Sequence, residues 1–137
     1  MSNTYKEEFL RYMDNNEIKY TDCGEYAVRV TYSGENMDSI PVVVIFDEDG
    51  ENTVQFACFE VAKYKQEKLV AGLTTCNALN AKYRWVKFYL DDDNDVRVEC
   101  DAYVSEGSAG EECMNMVLRI VSIADNAYPI IMKSIWE

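Results

Sequence analysis

The segment LDDDNDV, Leu90 to Val96, places four aspartates and one asparagine in five consecutive positions. Two chemistries use carboxylates this dense: calcium coordination and general acid–base catalysis. Asp91, Asp93 and Asp95 fall at positions one, three and five of a helical calcium loop. The glycine required at position six is Val96, however, and the bidentate glutamate at position twelve is Ala102. A catalytic carboxylic acid needs a pKa displaced by burial or by a close partner, and a hairpin tip in water displaces it little. A turn accounts for more of the residues. If Leu90 pairs with Val96 and Asp91 with Asp95, then Asp92-Asp93-Asn94 is a three-residue loop with Asn94 at its left-handed position, which asparagine tolerates. The run DEDGE, Asp47 to Glu51, has the same character, with Gly50 at that position. Neither a metal site nor a catalytic residue is expected at either loop.

The 137 residues contain no histidine, so a histidine-based triad or zinc site is unavailable. No serine lies in a nucleophile-elbow motif. The cysteines Cys23, Cys58, Cys76, Cys100 and Cys113 include no CxxC pair, and they read as reduced core thiols of a cytosolic protein. The loop SEGSAGEE precedes a helix start that could hold an anion, but Glu111 and Glu112 already occupy that end. With 25 acidic and 13 basic residues the net charge is −12. Such a field repels phosphate backbones and anionic membranes, and the densest basic window, KYKQEKLV, is interrupted. Nucleic acid and membrane are disfavoured as direct partners; a basic or amphipathic polypeptide is favoured. No apolar run approaches the ~20 residues of a membrane span, and the N-terminus lacks a signal-peptide apolar region. A cytoplasmic protein without a cofactor is expected, with residues 1–137 forming one domain.

The elements that position these residues follow from periodicity. Thr4 and Glu7 have capping-box spacing, and Tyr5, Phe9, Tyr12 and Met13 recur at helical intervals. A marginal strand in IKYTDC precedes a clear one in EYAVRVTY, where Tyr26, Val28, Val30 and Tyr32 alternate with polar or small residues. SIPVVVIF and NTVQFACFEV are strands joined by the DEDG turn. With a three-residue loop there, Val44 would face Val54 and Val42 would face Phe56. A second helix is predicted over 65–82 from Leu69, Leu73, Cys76 and Ala78–Leu79, with Gly72 weakening it by about 1 kcal/mol. RWVKFYL and VRVECDAYV form the last hairpin. Ser108 and Glu111 open a final helix with a stripe of Met114, Val117, Leu118, Val121, Ala124 and Tyr128, which Pro129 is expected to end or kink. The order α-β-β-β-β-α-β-β-α, with tight turns between strands, predicts an α+β fold: an antiparallel sheet with helices packed on one face.

In the last hairpin, pairing Leu90 with Val96 sets Phe88 against Val98 and Val86 against Cys100 on one apolar side. The other side carries Tyr89 with Arg97, Lys87 with Glu99 as an opposite-charge pair, and Trp85 with Asp101. Trp85, Tyr89 and Tyr103 thereby fall on the outward face, where a contiguous aromatic patch would mark a protein interface.

The run from Cys76 to Met132 resembles the YbjN domain family of bacterial proteins: an N-x-x-N helix end (Asn77 and Asn80), an aromatic-rich strand, an acidic turn, a strand of alternating charge and a closing helix. The resemblance implies a fold similar to type III secretion chaperones, which are small, acidic, usually dimeric and bind extended protein segments; it brings no catalytic residues. Asn77 and Asn80 are then expected to cap the helix or tie it to the next strand. A non-enzymatic protein-binding or chaperone-like module, working as a homodimer on a polypeptide partner, is the leading expectation. The alternative is a small-ligand or divalent-metal sensor using the acidic loops or a cleft between sheet and helix.

Overall fold

In the computed structural model, which describes residues 3–137, helix α1 (Thr4–Asn15) is capped by Asn3 rather than by Thr4. The Asn3 Oδ1 accepts hydrogen bonds from the N–H groups of Tyr5 and Lys6, while its Nδ2 donates to the Asp47 carbonyl at 2.8 Å. One amide thus caps the helix and fixes the DEDG loop. Phe9 and Met13 are buried on the inner side of α1, as their spacing requires.

Five of the six strands carry the sheet: β2 (Ala27–Tyr32), β3 (Ile40–Phe46), β4 (Thr53–Cys58), β5 (Lys87–Leu90) and β6 (Val96–Tyr103). The marginal β1 (Thr21–Asp22) is two residues at one edge. The order is β1-β2-β3-β4-β6-β5, with every neighbour antiparallel. In β2 to β4, Val28, Val30, Val42, Val44, Phe46, Val54 and Phe56 bury one face against the helices. Helix α2 (Leu69–Lys82), reached through a single 3-10 turn at Gln66–Lys68, packs against β5. Helix α3 (Ala109–Trp136) lies over β3, β4 and β6 and also against α1.

Three expectations are corrected by the packing. The β3–β4 register is shifted by two residues: Val44 faces Phe56 and Phe46 faces Val54. The loop is longer than three residues because the Asp47 carboxylate accepts from the N–H groups of both Asp49 and Glu51. A shift of two preserves which side chains point inward, so the core assignment survives it. In α2, Leu73 is 54% exposed, and Gly72 takes the inward place with Cys76 and Leu79. A Cβ on Gly72 would meet the Tyr64 ring at 3.0 Å and Leu90 Cδ1 at 2.9 Å, so the weak helix former is there for close packing.

The third correction concerns α3, whose buried line is Cys113, Val117, Ile120, Ala124, Ala127 and Ile131, leaving Leu118 exposed. Ser108 precedes this helix without a side-chain cap; the Glu112 carboxylate instead accepts from the Ser105 N–H. Pro129 does not end the helix. Proline removes the N–H that would reach the carbonyl of Asp125, and that carbonyl accepts from Asn36 Nδ2 at 3.0 Å instead. The Asp125 carboxylate accepts from the N–H groups of Glu35, Asn36 and Met37 at 2.9–3.0 Å. The β2–β3 loop is therefore wrapped around one residue of α3. Gly34 permits the approach, because a Cβ there would overlap the Asp125 carboxylate.

Candidate functional site

The acidic hairpin is a built turn. Asp91 Oδ1 accepts from the N–H groups of Asp93 and Asp95, and Asn94 adopts φ 64°, the left-handed conformation expected of it. The four ladder pairs from Lys87–Glu99 to Leu90–Val96 match the sequence-derived register. Carboxylate oxygens of Asp91, Asp93 and Asp95 lie within 4.8 Å of one another. Asp95, however, is paired with Lys63 Nζ at 3.5 Å, and that ammonium also donates to the Asp93 carbonyl at 2.7 Å. Part of the coordinating capacity is already used in holding the tip against residues 63–66.

The other face of the sheet is a more substantial surface. The registers align Arg29, Val43, Ala57, Glu99 and Lys87 in one row across five strands, and Ala27, Ile45, Gln55 and Asp101 in the next. Val43 and Ile45 are half-buried and Ala57 is fully buried, so an apolar lane crosses the centre of this face.

Beside the lane, Glu99 is only 3% exposed although it lies on the sheet face opposite the core side of β6, where no helix of the described residues packs. Its Oε2 accepts from Tyr89 Oη at 2.6 Å and pairs with Arg97 Nη2 at 2.9 Å; its Oε1 accepts from Gln55 Nε2 at 3.1 Å. The expected opposite-charge pair is therefore replaced: Lys87 is the ladder partner of Glu99, but Arg97 takes its charge. The Arg97 guanidinium lies 4.2 Å from the Phe59 ring centroid and 5.6 Å from that of Tyr89, a cation held between two aromatic rings. Its buried Nε has no hydrogen-bond partner among the described residues. The hydrogen bond to Glu99, then burial and the charge of Glu99, push the Tyr89 phenol above its ordinary pKa. At the far end of the lane, Ile45 and Gln55 border a cleft of about 390 Å³ edged by Asp47, Glu48, Asp49 and Asp101.

Of the aromatic residues singled out in the sequence, Tyr89 and Tyr103 lie on this open face, but six residues of β6 separate Tyr103 from the Arg97 row, about 20 Å. Tyr103 is 78% exposed. Trp85 precedes β5 at φ 81°, outside the ladder, and the Arg119 guanidinium of α3 lies 5.0 Å from its ring. The three rings do not form one patch. Asn80 donates to the Phe88 carbonyl at 3.0 Å and accepts from the Phe88 N–H at 2.7 Å, which ties α2 to β5; Asn77, a turn earlier, is exposed.

A second concavity, of about 540 Å³, lies between the last two turns of α3 and the segment 62–68. Tyr128, Met132, Ile135 and Trp136 line its helical side, and Lys65 and Lys68 stand at its rim. Tyr64 anchors the segment, with its ring buried and its hydroxyl bonded to Ser134.

The cysteines offer little nucleophilic chemistry. Burial pushes the thiols of Cys58, Cys100 and Cys113 up to about 12 and raises that of Cys76; Cys23 alone is exposed. A disulfide reagent is therefore expected to titrate one thiol in the native protein and five in denaturant, and fast labelling of a second native thiol would contradict this packing.

Among the described residues no helix is long and apolar enough to cross a membrane. The YbjN family model, described as "Putative bacterial sensory transduction regulator", matches residues 6–131. No curated protein matches the sequence. The crystal structure of YbjN from E. coli superposes with a TM-score of 0.66 at 18% identity, over 90% of this chain and 87% of that one. A chain of the heterodimeric ExoU–SpcU complex from the type III secretion system of Pseudomonas aeruginosa gives 0.60 at 9% identity, over 91% and 95%. Both likenesses are of fold, and they agree with the chaperone-like α+β architecture expected from the family resemblance. With a family model spanning nearly all its elements and a sheet-and-helix topology to match, the chain belongs to the YbjN family.

Proposed function

We propose that the protein is a non-enzymatic, cytoplasmic protein-binding module, a single domain of 137 residues that takes an extended polypeptide on the open face of its sheet. The observation that carries this reading is the half-buried apolar pair Val43 and Ile45, beside the fully buried Ala57, uncovered by any helix among the described residues and bordered by the Phe59–Arg97–Tyr89 stack and the acidic cleft. An extended chain fits such a lane because alternate side chains can contact it. The cleft of Asp47, Glu48, Asp49 and Asp101 selects a segment that carries lysine or arginine at one end. Similarity to a chain of a heterodimeric secretion complex supports a polypeptide partner. Tyr89 and Tyr103 belong to this interface as contact residues; Trp85 lies outside it, and Asn77 and Asn80 are structural.

The module works as a homodimer. Val70 and Leu73, one turn apart on α2 and 76% and 54% exposed, supply the apolar surface for it. Affinity purification of the full chain after cross-linking, with mass spectrometry, is the test. Expected are a co-purified basic polypeptide, lost at least tenfold with Ile45→Lys, and a particle of twice the 15.8 kDa chain mass that Val70→Glu/Leu73→Glu renders monomeric. A monomer that retains no polypeptide would overturn the proposal. The alternative, a metal sensor at the acidic hairpin, is less supported, because Lys63 already neutralises Asp95.

A further inference from the structure

From the groove between α3 and residues 62–68 we infer a binding site for a small amphiphilic monoanion, a free medium-chain alkyl carboxylate, separate from the open sheet face. The argument begins with shape. About 540 Å³ lies within the ~300–1,000 Å³ typical of small-ligand sites. A polypeptide interface, by contrast, needs about 1,000 Å² or more of buried surface.

The chemistry of the lining follows from periodicity. Tyr128, Met132, Ile135 and Trp136 recur at intervals of four, three and one, so one side of α3 presents them together. Met132, Ile135 and Trp136 continue past Ile131, the last buried residue of α3, and Trp136 is 78% exposed. A helix side this apolar at the surface is suited to an apolar ligand body. Ala62, across the groove, adds a small apolar contact and leaves room.

The rim supplies the head-group specificity. In a chain of net charge −12, this groove gathers Lys63, Lys65 and Lys68. Lys63 is committed to Asp95 and to the Asp93 carbonyl. Lys65 and Lys68 have no ion-pair partner among the described residues, and one carboxylate, Glu67, stands with them. Among the lining residues, and apart from the Lys63–Asp95 pair, two ammonium groups stand against one carboxylate, a local excess of one positive charge at the rim to meet one carboxylate head.

The wall bearing these lysines is fixed. The Val61 N–H donates to the Val96 carbonyl, the Tyr64 N–H to that of Asn94 and the Val96 N–H to that of Ala62. The acidic hairpin therefore has a use that its carboxylates alone do not reveal: through Lys63 and Asn94 it braces one side of the groove.

Trp136 is the natural reporter. In a Trp85→Phe background it is the only tryptophan, and titration with sodium decanoate below its micellar concentration is expected to give a saturable blue shift with Kd of about 1–100 µM. Decanol, with the same chain and no charge, should bind at least tenfold more weakly. Lys65→Glu/Lys68→Glu, at surface positions, should weaken decanoate at least tenfold with unchanged circular dichroism and Tm, and should leave capture of the polypeptide partner intact. That last comparison separates failure of this site from failure of the open-face reading. No saturable shift up to 1 mM (~1 mM is the weak limit of specific binding), equal binding of decanol, or equal binding by the double variant would each overturn the inference. Binding to anionic phospholipid vesicles without binding of monomeric decanoate would overturn it as well.

Discussion

Asp125→Ala is expected to lower the Tm by about 5–10 °C, the largest effect of any single polar side chain on the helical side of the sheet. The side chain is 9% exposed and holds three backbone N–H groups of the β2–β3 loop. Alanine leaves all three donors without their acceptor and frees the loop whose Asn36 amide caps the Asp125 carbonyl opposite Pro129. Amide exchange at Glu35, Asn36 and Met37 should accelerate together, because one carboxylate protects them all. Gly34→Ala should reproduce much of this by pushing that carboxylate away. The pH dependence has a definite sign. Burial alone disfavours the charged form, but the donors of Asn36, Met37 and Glu35 outweigh it, so the carboxyl titrates below the ordinary aspartate range. A depressed folded-state pKa contributes stability above the unfolded value and loses it as pH falls through the folded one. The stability difference between wild type and Asp125→Asn should therefore be constant at neutral pH and close below about pH 4. A difference that does not begin to shrink as the pH is lowered below the ordinary aspartate value of about 3.9 would show that the loop is held by something else.

The balance between local and long-range interactions explains which features were readable in the sequence. The β5–β6 register was legible because side-chain alternation, opposite partners and a two-sided face must agree at once, and only one pairing satisfies them. Asn94 was legible because a short loop demands a left-handed residue at a known place. The β3–β4 offset was not, since Asp47 lengthens the loop with side-chain bonds that no alternation pattern records. Pro129 misled for the same reason: its effect on a helix depends on whether a distant group takes the orphaned carbonyl, and Asn36 is 89 residues from Asp125. The signal available was an aspartate inside the apolar run IVSIADNAYP, four residues before proline. Gly72 and the Cys113–Ile131 line depend on how helices pack on neighbours, which single-helix periodicity constrains only to within a residue or two. The open-face site was half visible. Alternation placed Tyr89, Arg97 and Glu99 on the outer side, but only the third dimension brings Phe59 and Gln55 to them.

That cluster is where the second large effect is expected. Glu99→Ala should cost about 2–3 kcal/mol, below the 3–5 typical of a fully buried pair because the Arg97 side chain is 26% exposed. Arg97→Ala should cost less in charge terms, since Glu99 retains Tyr89 and Gln55 as donors, though it also loses the packing on Phe59. The informative variant is the double replacement Arg97→Met/Glu99→Leu. Apolar residues of similar volume remove the desolvation cost of both charges, so this protein should unfold within about 1 kcal/mol of wild type or above it. Stability then no longer explains retention of the pair, and what remains is its place beside the apolar lane. A partially exposed guanidinium beside two rings can donate from its Nη groups to a backbone carbonyl of an incoming strand, which a methionine cannot do. Capture of the polypeptide by the double variant should fall at least tenfold while its melting curve is preserved. If capture is undiminished, the buried pair serves only to set the register of β4, β5 and β6, and recognition rests on the lane and the acidic cleft alone.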